Sequence, residues 1–110
     1  MIELAKLKDI ESGVLRECSI DTGQGQLSLI LIEREEGFKA YTNSCPHQGR
    51  RLDFAENQFL MTENQELVCP AHGAVFELNK GYCLSGPCKG QSLRQIDIKV
   101  DEESIFAILE

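Results

Sequence analysis

Four residues constrain this chain more than any others: Cys45 and His47, then Cys69 and His72. They stand in two similar frames, Cys45-Pro46-His47-Gln48-Gly49 and Cys69-Pro70-Ala71-His72-Gly73, and they include both histidines of the protein. His47 and Cys69 are separated by 21 residues. Each frame offers one thiolate and one imidazole. Pro46 and Pro70 restrict the backbone between the paired residues. Gly49 and Gly73 permit tight turns in which backbone N–H groups can approach an anion.

Around these frames the chain reads as a small antiparallel β protein. Short runs rich in Ile, Leu and Val alternate with turn residues. Val14–Ile20 and Leu27–Ile32 flank Asp21-Thr22-Gly23-Gln24-Gly25, a hairpin turn. Phe38–Thr42 follows the turn at Glu36-Gly37. Glu66–Cys69 leads into the second frame and Ala74–Leu78 leaves it. Ile96–Val100 and Ile105–Leu109 flank Asp101-Glu102-Glu103-Ser104 as a closing hairpin. In the first of these, Ile96, Ile98 and Val100 alternate with Asp97 and Lys99, the pattern of a half-buried strand. The one helical candidate is Arg51–Asn57. We expect a single domain over residues 1–110, with an insertion over about 43–90 that holds all three prolines and both histidines.

Charge and cysteine count narrow the role. A net charge of −7 argues against a nucleic-acid partner. Residues 44–90 are nearly balanced, with 4 basic and 5 acidic side chains, so the excess acid lies outside them. It could steer a basic partner, or simply keep the protein in solution. The longest apolar stretch, near Leu27–Ile32, is far short of the roughly 20 residues that span a bilayer. Met1–Lys8 lacks a signal-peptide core. We therefore expect a cytoplasmic protein without a membrane partner. The cysteines number five, Cys18, Cys45, Cys69, Cys83 and Cys88, and an odd count disfavours a disulfide framework.

Two thiolates and two imidazoles suit a [2Fe–2S] centre with Cys45 and Cys69 on a buried iron and His47 and His72 on a more exposed one. The oxidised centre would then be neutral, where an all-Cys centre carries −2, and it accepts an electron more readily. A structural zinc is the rival, but zinc modules typically pair like ligands in each half, whereas each half here mixes them. The remaining reading is four scattered residues with no metal, which the matching frames disfavour. Cys83 and Cys88 read as small buried thiols rather than a redox pair or extra ligands, and Cys18 as core. Gly23-x-Gly25 is a turn, not a dinucleotide fingerprint, since the third glycine is missing. Arg50 and Arg51 are a solvated rim or a docking contact. Phe54, Phe59 and Phe76 are expected in the core.

On these motifs the chain resembles the Rieske-type ferredoxin family, over nearly its whole length. The resemblance implies an all-β fold, a small antiparallel sandwich with a cluster-binding insertion. It implies one [2Fe–2S] cluster, with Cys45 and Cys69 on the inner iron and His47 and His72 on the outer. Gly86-Pro87 resembles the family's proline-containing third loop, and Leu52 falls where an apolar residue stands beside the cluster. High-potential members carry a further Cys in each loop, joined as a disulfide; here Arg50 and Ala71 stand there. They also place Ser and Tyr where this chain has Ala74 and Phe76. Fewer donors around the centre stabilise its reduced state less, which implies a midpoint near the low end of the family range, about −150 mV.

Both histidines are used by the centre, so none remains for the mononuclear iron of an oxygenase. The length leaves no room for a flavin or nicotinamide domain. The expected role is thus a one-electron carrier, not catalytic alone, between a flavoprotein reductase and a terminal oxygenase. The alternatives are the small subunit of an assimilatory nitrite reductase, with that enzyme's large subunit as partner, and a redox or iron–sulfur sensor without turnover.

Overall fold

Local sequence chemistry sets the turns, and the turns set the strands. The computed structural model describes residues 1–46 and 48–109. Among these the strands are, in chain order, β1 Ile2–Lys6, β2 Arg16–Asp21, β3 Gln26–Arg34, β4 Gly37–Thr42, β5 Asp53–Ala55, β6 Gln58–Met61, β7 Leu67–Val68, β8 Val75–Phe76, β9 Cys83–Ser85, β10 Ile98–Val100 and β11 Ser104–Ala107. One 3₁₀ turn, Leu7–Asp9, is the sole helical element among the described residues. Among the described residues no helix is long and apolar enough to cross a membrane. The fold is all-β and antiparallel, as expected, and the chain divides into two compact units.

The first unit is Met1–Thr42 with Ile96–Glu110. It holds two three-stranded antiparallel sheets, ordered β1-β11-β10 and β2-β3-β4. In the 21–25 turn, the Asp21 carboxylate accepts the Gly23 N–H at 2.9 Å and the Gly25 carbonyl accepts the Thr22 N–H at 2.9 Å. That turn fixes the β2–β3 register, Asp21 opposite Gln26 and Cys18 opposite Leu29. In the closing hairpin the Asp101 carboxylate accepts the N–H groups of Glu103 and Ser104 at 2.8 and 2.7 Å, which holds its pKa below the usual range. Leu29, Ile30, Leu31 and Ile32 of β3 are all buried, so the continuous apolar run marks a strand covered on both faces. One face packs into a core of Ala5, Cys18, Ile20, Leu29, Leu31, Ala40, Ile96, Ile105 and Ala107. Cys18 is core, as read from sequence. The alternation expected over Ile96–Val100 fades toward its end, where Val100 is exposed.

The second unit, Asn43–Gln95, holds the five-stranded antiparallel sheet β5-β6-β7-β8-β9 and both Cys/His frames. Leu52, Leu67, Phe76 and Leu78 are fully buried in it. The helix expected over Arg51–Asn57 does not form. That stretch is β5, turned back at Asn57 (φ +58°) onto β6, with Asp53 opposite Phe59. Asparagine tolerates the left-handed conformation that ends the segment, and hydrogen bonds to the Asp53 side chain hold its start. Phe54 is exposed rather than core, because strand alternation places it opposite in direction to buried Asp53.

Candidate metal centre

The two loops close on the same pattern of backbone hydrogen bonds. In the first loop the Cys45 N–H donates to the Arg50 carbonyl at 2.7 Å and the Gly49 N–H donates back to the Cys45 carbonyl at 2.7 Å. In the second, the Cys69 N–H donates to the Ala74 carbonyl at 2.7 Å and the Gly73 N–H to the Cys69 carbonyl at 2.9 Å. The offsets are identical, five residues on and four residues back. Each loop turns at a glycine with positive φ, +69° at Gly49 and +73° at Gly73. No atom crowds a side chain at Gly73, so the glycine is required by backbone conformation and not by space.

This geometry buries both cysteines and leaves His72 exposed. Cys45 and Cys69 are 2% and 1% exposed, while His72 is exposed. Burial pushes the Cys69 thiol up. The backbone N–H groups of Ala71 and His72 favour its thiolate, and the adjacent Cys45 sulfur opposes it. Both cysteines are free thiols. Two buried sulfurs side by side at the roots of matched loops, with N–H donors aimed at one of them, fit the thiolate half of a [2Fe–2S] centre. Among the described residues no three Cys, His, Asp or Glu side chains gather around one metal-sized point. His47, expected as the fourth ligand, lies outside the described residues.

A third loop follows β9. Gly86 has φ +99°, and a Cβ placed there would stand 2.7 Å from the Cα of Ala74, so the loop lies directly on the end of the second frame. Ala74 and Leu52 are fully buried. Cys83, which opens β9, and Cys88 of the loop are 5% and 0% exposed, as expected of buried thiols. Burial, with the neighbouring Cys83 and Cys45 sulfurs, pushes the Cys88 thiol up to about 12.

Sequence reasoning missed the polar tie at the exit of the first loop. Arg51 donates through two nitrogens to both oxygens of Asp53, each at 2.9 Å. The Asn43 amide donates to the same carboxylate at 3.2 Å and accepts the Leu52 N–H at 2.8 Å. The Asp53 carboxyl is held below its usual range, chiefly by Arg51 and against the opposing effect of burial. Arg51 therefore serves its own loop. The available signal was an acidic residue between Leu52 and Phe54, which needs a buried partner if the segment is a strand.

The Rieske [2Fe-2S] domain model matches residues 1–101. No curated protein matches the chain. Among solved structures, the ferredoxin of carbazole 1,9a-dioxygenase from Nocardioides aromaticivorans IC177 is 23% identical with a TM-score of 0.72, covering 99% of this chain and 97% of that one. A complex of reduced oxygenase and oxidized ferredoxin in carbazole 1,9a-dioxygenase gives 20% and 0.72, covering 97% and 100%. A putative nitrite reductase NADPH small subunit gives 17% and 0.66, covering 98% and 97%. At these identities the solved structures show a shared fold. The family model spans nearly the whole chain, both matched loops included, and the chain therefore belongs to the Rieske [2Fe-2S] domain family.

Proposed function

We propose that this protein is a one-electron carrier whose [2Fe–2S] cluster is held by Cys45 and Cys69 on the inner iron and His47 and His72 on the outer. It takes electrons from a flavoprotein reductase and passes them to a terminal oxygenase. The observation that carries this reading is the asymmetry of the matched loops, with buried cysteine sulfurs and an exposed His72. When bound, the cluster supplies reversible storage of a single electron. Cys45 and Cys69 supply the two negative charges. The N–H groups of Ala71 and His72 stabilise the Cys69 thiolate. Burial of both cysteines keeps water from the sulfurs. His72 forms the edge at which a partner's redox group can come near. An oxygenase as acceptor is supported by the fold shared with the carbazole dioxygenase ferredoxins.

The test is spectroscopic and then functional. The reduced holoprotein should give an EPR spectrum with an average g below that of all-Cys ferredoxins, and His72→Cys should raise it toward theirs. Holoprotein reduced by a flavoprotein reductase should be reoxidised on adding a ring-hydroxylating oxygenase component. Reoxidation only by a nitrite reductase large subunit would move the carrier to that enzyme. A redox-dependent pulldown partner without electron transfer would make it a sensor.

A further inference from the structure

The cluster accounts for two of the five cysteines, and Cys18 sits alone in the core of the first unit. Cys83 and Cys88 are different. They are buried free thiols with their sulfurs 3.2 Å apart. A disulfide needs about 2.05 Å, so the sulfurs must approach by only about 1.2 Å. The backbone already draws the two residues together. The Cys83 N–H donates to the Gln91 carbonyl at 2.9 Å, and the Gln91 N–H donates to the Cys88 carbonyl at 2.9 Å. Between them Gly86, at φ +99°, and Pro87 turn the chain back on itself. The proximity comes from this turn and the two bonds to Gln91, which the spacing of the cysteines alone does not reveal.

We propose that Cys83 and Cys88 form a dithiol/disulfide couple, a two-electron redox site beside the one-electron cluster. Its oxidant is a small-molecule disulfide of the glutathione class. Cys83 is the entry sulfur, because it retains slight exposure where Cys88 has none and lies between exposed Tyr82 and Leu84. Its thiolate attacks one sulfur of the oxidant, which leaves a mixed disulfide and releases one small thiol. The Cys88 sulfur then attacks the Cys83 sulfur, closing the internal bond and releasing the second small thiol. Two protein thiols lose two electrons and two protons, and both appear in the two thiols released. Excess small thiol runs the sequence backwards.

Trypsin makes the test direct. Cleavage after Lys80 and Lys89 yields Gly81–Lys89, which contains Cys83 and Cys88 and no other cysteine. Holoprotein is equilibrated anaerobically across a series of glutathione to glutathione disulfide ratios, its visible absorbance recorded, then denatured with iodoacetamide and digested. The peptide should pass from the doubly alkylated form to one with an internal disulfide, lighter than the dithiol by two hydrogens, while the absorbance is retained. The Cys18 peptide should stay alkylated throughout. In Cys88→Ser, Cys83 should stop at the mixed disulfide with glutathione; in Cys83→Ser, Cys88 should take up no glutathione and be recovered alkylated. A peptide that stays doubly alkylated at the most oxidising ratio overturns the proposal. So does an internal disulfide found only in protein that has lost its absorbance, or a Cys88→Ser protein whose Cys83 takes up no glutathione.

Discussion

Removing the Asp53 carboxylate should loosen the first ligand loop by a predictable amount. The Asp53 side chain is 1% exposed, and it accepts from Arg51 twice and from Asn43 once. Charge-assisted hydrogen bonds contribute about 1.5–3 kcal/mol net when buried. The Arg51 side chain is 54% exposed, so water can take over its bonds and the ion-pair share shrinks. We therefore expect Asp53→Ala to cost about 2 kcal/mol, which for a domain of this size lowers the melting temperature by about 8 °C. Arg51→Ala should cost less than half of that, since the exposed partner is the one removed. The assay is thermal melting of the holoprotein at a fixed scan rate, followed by circular dichroism and by visible absorbance. The visible signal should be lost first, because Asn43 ties Asp53 to the Leu52 N–H just past the Cys45 loop. Asp53→Ala melting within about 1 °C of the parent would refute the reasoning.

The pH dependence follows with its sign. The folded pKa of Asp53 is lowered, so its contribution is complete above the unfolded value of about 3.9. It is lost as pH falls through the lower folded value. The stability gap between parent and Asp53→Ala should be constant from neutral pH down to about 5 and close below about 4. A gap that widens on acidification would contradict the assigned direction.

Two other perturbations act on the second loop and on the electron affinity of the centre. Gly86→Ala places a Cβ 2.7 Å from the Ala74 Cα at φ +99°, a backbone clash added to left-handed strain of about 1–2 kcal/mol. Holo Gly86→Ala should lose visible absorbance to a chelator several-fold faster than the parent, and an equal rate would mean the third loop does not seat the second. The parent midpoint should lie near about −150 mV by voltammetry, and a value above about 0 mV would defeat the donor-poor reading. Ala74→Ser adds a hydroxyl beside the centre. If that bond is about 1 kcal/mol stronger in the reduced state, the midpoint rises by about 40 mV.

What the sequence disclosed, and what it hid, divides along the range of the interactions involved. The 21–25 and 101–104 turns were legible because Asp21 and Asp101 bond to backbone two or three residues on. The two ligand frames were legible because Pro and Gly act on their own residues. The Arg51–Asn57 segment was misread because its conformation is held from a distance, by Asn43 ten residues before Asp53. Phe54 was misplaced because its exposure is set by strand direction, opposite to buried Asp53. Gly86 could be matched to a third loop by resemblance, but its seat on Ala74 belongs to the folded sheet. The 3.2 Å approach of Cys83 to Cys88 likewise needs Gln91, bonded to the backbone of both.

The high-potential relatives tie their two ligand loops together by a disulfide, at positions matched here by Arg50 and Ala71. In this chain each loop has an anchor of its own, while the Cys45 sulfur also touches those of Cys69 and Cys88. The first is anchored at its exit by Asn43, Asp53 and Arg51, and the second by the close seat of Gly86 on Ala74. No residue is shared between the two anchors. If restraint is separate in this way, the stability losses of Asp53→Ala and Gly86→Ala in the holoprotein should sum in the double variant to within about 0.5 kcal/mol. Should the double variant be no worse than the worse single one, the loops fail together. The bound cluster, held by both loops as proposed, would then be the clamp that replaces the missing disulfide.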